Sequence, residues 1–344
     1  KDAVSVNGEP FPVVKNAPPD WAVRAANATH PTVLVFDELK CVPAATMAPV
    51  LSILSDRVVG GVWLDPRKVF MIACGNNAAD SAGGWEFPAP MANRLTHLTY
   101  EPDPISWAEN FPTYWDGAPA IGIRSAGMSD EDWEAEQGQL MTAWSSARST
   151  VAAYIRSKVS ALNAMPKQDR GAKGQAWPSC RSWDFASRTM ALRAIGKLSA
   201  SDESTLIAGD IGAAAAGEFM AWRRTAGLVD IVALFDNPDG FVLPPSVDAQ
   251  YFLAMGIPAY LVNAKAVALS AAGTKDISAK TMKGLLAKWM TGWTLLGRFV
   301  KAAGPKDVAA LAANQMVRDN CQPTRKFDQF PPEVEMFLGL LEQS

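Results

Sequence analysis

The chain of 344 residues has only two histidines, His30 and His97, and four cysteines, Cys41, Cys74, Cys180 and Cys321, with no CxxC pair among them. So few imidazoles and such scattered thiols leave little from which to build a zinc site. They fit buried or half-buried thiols in a reducing compartment better than a disulfide framework. A dominant charge is missing too. The 32 basic and 35 acidic residues leave a net charge of -3, so there is no bulk attraction for nucleic acid or an anionic membrane. No apolar run reaches the roughly 18 residues of a membrane span, and the opening KDAVSVNGEPFPVV lacks the apolar stretch of a signal peptide. The expectation is a soluble, cytoplasmic protein. Hydrophobic residues make up 49% of the chain and charged ones 19%, which is ordinary and sufficient for a sizeable core. The length suits two domains at roughly 100–200 residues each.

Short apolar runs alternate with helical patterns up to about Pro104. VLVF at 33–36 reads as a strand, and AATMAPVLSILSD at 44–56 places Met47, Val50, Leu51 and Leu54 at helical spacing. RVVGGVWLDPRK, with paired glycines between β-formers, reads as a hairpin, VFMIAC at 69–74 as a second strand, and RLTHLTY at 94–100 as a third. Continuous rather than alternating hydrophobicity predicts strands covered on both faces, hence a parallel sheet. Beyond Pro104 long helical stretches follow at 129–164, 181–198, 204–227 and 279–303, with Pro/Gly-punctuated loops at 165–179 and 236–246. The alanine-rich GAAAAGEF fits a close-packed helix.

Three local patterns bear on chemistry. In VLVFDEL at 33–39 a strand ends in Asp37 and Glu38, putting two carboxylates at the edge where open α/β sheets bind ligands. An acidic helix cap after a strand produces the same letters. The other strand ends in Gly75-Asn76-Asn77, either a turn or an amide able to hold a water or phosphate beside the acids. In PAPMANRLTHL at 88–98, Arg94 is either a solvated charge or a guanidinium offered to a neighbouring subunit's phosphate.

Taken in order, DELKCVPAATMAPVLSILSDRVVG, MIACGNNAADSAGGWEFPAPMANRLTHL and AWPSCRSWDFAS (176–187) resemble the MoxR-like AAA+ ATPases, closely their actinobacterial-type branch. The resemblance spans roughly residues 10–225, including FPVV…APPDWA at 11–22 ahead of the acids. It implies an α/β fold: an incomplete AAA+ αβα sandwich with a parallel sheet over 1–104, a helical lid over 105–235 and a helical C-terminal extension over 236–344. By this likeness Asp37 and Glu38 fall on the Walker B acids, Asp37 holding Mg²⁺ and Glu38 activating water. Asn76 falls on sensor 1, Arg94 on the arginine finger and Arg181 on sensor 2. Departures from the pattern are Asn77 and Cys180, each where the family has proline. Arg57 is either a second intersubunit arginine or a solvated hairpin residue. ATP and Mg²⁺ are the implied cofactors. Self-association as a hexameric ring and a partner protein carrying a von Willebrand factor A domain are the implied partners.

No GxxxxGK[ST] occurs anywhere. GAKGQ (171–175), AIGKLS (194–199) and AAGTKD (271–276) lack the glycine and lysine offsets, so the nest of backbone N–H groups and the lysine that hold phosphates are not encoded in these residues. A fragment of a longer ATPase, a phosphate loop that is disordered or supplied separately, and a degenerate module all account for this; efficient hydrolysis by these residues alone is not expected. Two further readings stand beside the ATPase. A non-catalytic scaffold would use Trp107, Trp115, Trp133, Trp144, Trp222, Trp289 and Trp293 at interfaces, against which the same residues could be core. A nucleic-acid-acting ATPase would use the basic stretch 280–301, whose Met282, Leu285, Leu286, Trp289, Trp293, Leu296 and Val300 also fit an amphipathic helix with a solvated basic face.

Overall fold

The computed structural model describes residues 3–6, 9–12, 17–76, 87–113, 124–166, 174–272 and 277–318, together with Cys321 and Phe337. The chain divides into two units, Lys1–Tyr100 and Glu101–Ser344. It is mostly helical, with a small parallel sheet of two strands in the first unit.

The first unit opens with an antiparallel pair, β1 (Ala3–Val6) and β2 (Glu9–Pro12). Helix α1 (Asp20–Ala26) follows, then β3 (Thr32–Phe36). A 3-10 turn at Leu39–Cys41 leads into α2 (Ala44–Asp56). The hairpin strands β4 (Val58–Val59) and β5 (Val62–Trp63) return the chain to β6 (Val69–Ala73), which runs parallel to β3 with Thr32 opposite Val69 and Phe36 opposite Ala73. Gly60 and Gly61 turn the hairpin at φ 55° and 86°, the left-handed pair that two-residue hairpin loops require. A Cβ on Gly60 would fall 2.7 Å from the Pro18 Cα, so glycine there also lets the preceding segment lie against the turn.

Leu34 and Phe36 of β3, with Val69, Met71 and Ala73 of β6, face one side. They pack there with Ala25 of α1 and with Met47, Val50 and Ile53 of α2. The alternate residues Val33, Val35, Phe70 and Ile72 are half or more exposed. The expectation of a sheet covered on both faces is therefore corrected: the burial alternates along each strand, and the second apolar face is open. The third strand expected at 94–100 is also absent. A one-turn helix, α3 (Ala89–Ala92), is followed by chain without regular structure, in which Leu98 and Tyr100 are almost fully exposed. Among the described residues no strand pairs with that stretch, so it forms no ladder.

The second unit is helical among its described residues. It begins with α4 (Pro104–Asn110) and the 28-residue α5 (Asp130–Ser157), capped by Ser129, which accepts from the Asp132 N–H. Helices α6 (Cys180–Ala194) and α7 (Ala200–Ile211) each start with a reciprocal capping box, Ser179/Ser182 and Ser199/Asp202. The helix expected over 204–227 is two, α7 and α8 (Ala213–Thr225), because Gly212 takes φ 85° between them. After α9 (Ile231–Asp236) come three more helices: α10 (Val247–Ala272), α11 (Ala279–Lys301) and α12 (Lys306–Arg318). Neither α10 nor α12 is anticipated from periodicity. By length and composition α10 could cross a membrane over Val247–Leu269, but most of it is buried inside the unit. Tyr251, Phe252, Leu253, Met255, Ile257 and Leu261 pack there with Trp289, Trp293 and Phe299 of α11, and the helix lies along α5. It is a core helix.

Candidate functional site

β3 ends at Phe36, and the next residues turn sharply while staying bonded to the end of β6. The Cys74 N–H donates to the Phe36 carbonyl at 2.9 Å and the Leu39 N–H to the Cys74 carbonyl at 3.0 Å. The turn is possible because Glu38 adopts a left-handed conformation, φ 52°, while Leu39 is buried beneath it with Met47 and Met91. Asp37 Oδ1 accepts the Glu38 N–H at 3.0 Å. Both carboxylate residues are exposed, as is Asn76, two residues beyond Cys74 at the tip of β6. The two strand tips thus bring Asp37, Glu38 and Asn76 to one end of the sheet; Asn77, Gly84 and Trp85 lie outside the described residues.

Two further side chains crowd this edge, and periodicity pointed to neither. Cys41 donates its thiol to Glu38 Oε2 at 3.1 Å while its N–H bonds the Glu38 carbonyl at 2.8 Å. Lys40 lies across Gly75 and sets its ammonium 5.4 Å from the Phe87 ring centroid; a Cβ on Gly75 would meet Lys40 Cγ at 3.2 Å. The hydrogen bond from Cys41 to Glu38, aided by desolvation and the carboxylate's charge, holds the thiol above its ordinary range. Among the described residues no three His, Cys, Asp or Glu side chains gather as a metal cluster. Asp37 could therefore hold Mg²⁺ only with most of the shell made by water and phosphate oxygens, which is how that ion is commonly held.

Arg94 is exposed. Its Nε donates to Ser55 Oγ at 2.7 Å and its Nη1 to the Pro90 carbonyl at 2.7 Å, so the guanidinium is tethered to the C-terminal end of α2. Arg57 is half-buried rather than solvated. It caps α2 at φ 56° and donates through Nη1 to the Val69 carbonyl at 2.8 Å, tying α2 to the start of β6. Arg181 belongs to the second unit, exposed in the first turn of α6 between the two capping serines.

The tryptophans offered as interface anchors are largely interior. Trp144, Trp289 and Trp293 are buried, Trp107 and Trp222 pack against the cores, Trp133 is half-buried, and Trp115 lies outside the described residues. Trp144 donates to Ser187 Oγ at 2.8 Å, with the Arg148 and Arg188 guanidinium carbons 4.5 and 4.6 Å from its ring centroid. In α11, Leu285, Trp289, Trp293 and Leu296 are buried, Lys280 and Lys283 are exposed, and the Lys288 ammonium sits 4.9 Å from the Tyr260 ring centroid. Of the thiols, Cys41 and Cys74 are exposed, Cys180 is half-buried and Cys321 is buried, which corrects the expectation that all four are withdrawn from solvent. No family model, curated protein or solved structure matches the chain.

Proposed function

We propose that this chain is part of an ATP-hydrolysing motor of the MoxR-like AAA+ type, which assembles as a hexameric ring and remodels a partner protein. In this reading the phosphate-binding loop comes from outside these 344 residues. What supports it is one piece of geometry. Two adjacent parallel strands end together, and the backbone bonds from Cys74 to Phe36 and from Leu39 to Cys74 join the segments that carry the acid pair and Asn76 at one end of the sheet. Ligands of open α/β sheets lie at that edge.

The roles follow from chemistry. Asp37 would hold Mg²⁺, which would neutralise charge on the phosphates, and Glu38, one residue on, orients and deprotonates the attacking water. Asn76 holds that water or a phosphate oxygen through its side-chain amide. Arg94 of one protomer acts on the nucleotide of its neighbour, which requires it to exchange Ser55 for phosphate; Arg181 senses nucleotide from the helical unit. A partner with a von Willebrand factor A domain fits the family likeness. The test is Glu38→Gln in the full-length gene product. Turnover is expected to fall at least about a hundredfold while ATP stays bound, as removal of a general base entails. Turnover within about twofold of the parent would refute the assignment of the acids.

A further inference from the structure

We propose that Cys41 is a positioning residue that fixes the Glu38 carboxylate through the hydrogen bond from its thiol, an inference that rests on Glu38 being the general base. Glu38 is exposed, and an exposed glutamate ordinarily samples many rotamers. Here the backbone is already closed into a turn by the bond from the Cys41 N–H to the Glu38 carbonyl at 2.8 Å. The thiol adds a second, independent tie, Sγ to Oε2 at 3.1 Å. The first bond shapes the chain; the second selects where the carboxylate points and leaves Oε1 to the water. An S–H group is a weak donor, and it donates only while protonated. An ordinary thiol is already mostly protonated at neutral pH, and the carboxylate beside it holds this one further above its usual range.

The arrangement needs the left-handed backbone of Glu38. That conformation folds the chain back so that a residue three positions on reaches the same carboxylate. Cys74, the other exposed thiol of this unit, serves as an internal reference.

Two measurements decide the matter. The first needs neither nucleotide nor partner: iodoacetamide labelling of the chain, read at each cysteine by mass spectrometry, in the parent and in Glu38→Ala. Iodoacetamide forms a C–S bond with the thiolate and expels iodide, so its rate follows thiolate content. With Glu38 removed, Cys41 is expected to label roughly threefold faster or more, with Cys74 unchanged. An unchanged rate at Cys41 overturns the contact. The second measurement is ATP turnover by the full-length gene product. Cys41→Ala is expected to lower kcat roughly five- to tenfold with KM within about twofold, and Cys41→Ser, which keeps a donor, to restore most of it. An unaltered kcat in Cys41→Ala, beside an inactive Glu38→Gln, overturns the positioning role and leaves the ATPase reading standing. An active Glu38→Gln overturns both.

Discussion

At the residue scale, environment decides what a titratable side chain does. Asp210 on α7 shows this away from the candidate site. Burial pushes its carboxyl up from 3.8 to about 6, and the long 3.5 Å bond from the Thr189 hydroxyl offsets that only in part. A carboxyl whose folded value is raised binds its proton more tightly in the native state, so the native state loses stability as pH rises from about 4 through 6. Asp210→Asn should stabilise the chain at about pH 8 and give no gain below about pH 4. Discounted for a group that is half exposed, the gain is about 1 kcal/mol, readable as a shift in urea midpoint. A gain that persisted at low pH would mean that packing, not charge, is responsible. The acids Asp37 and Glu38 were legible because an apolar run ending in two carboxylates says where they stand. The contacts of Lys40, Cys41 and Arg57 were not, since each depends on a neighbour brought close only by a left-handed turn or a helix end.

At the scale of elements, amphipathic pattern and turn chemistry were readable, and uniform hydrophobicity was not. α2 and the Gly60-Gly61 hairpin follow from their residues. Asn7-Gly8 between β1 and β2 is also a strong hairpin signal in the sequence. α10 carries no helical period in its sequence because it is buried on nearly every side, which removes the polar face. The division between α7 and α8 rests on a single residue. Gly212 holds φ 85°, and a Cβ there would lie 2.7 Å from the Ala176 carbonyl oxygen. Gly212→Ala is expected to cost about 1–3 kcal/mol by the strain of that conformation and the close approach, measured by denaturant unfolding with helical content as the signal. A neutral substitution would mean that the two helices can fuse without penalty.

At the scale of the whole molecule, the chain changes character after Pro104 in sequence and divides after Tyr100 in space. The apolar content of β3 and β6 showed that they are strands. It could not reveal that only one face is covered, because a buried residue and an exposed apolar one are written with the same letters. Val33, Val35, Phe70 and Ile72 stand side by side on a two-stranded sheet, and such a surface favours association. At about 50 μM the chain should scatter light and elute early from a sizing column. The pair Val35→Lys and Ile72→Lys should restore a monodisperse peak with unchanged helical signal; persistent association would place the adhesive surface elsewhere. A different tension sits at Glu38. Left-handed backbone costs a residue bearing a Cβ about 1–2 kcal/mol and costs glycine almost nothing. Selection for heat resistance alone would therefore drive this position toward glycine and discard the carboxylate, so durability and chemistry compete for the same codon.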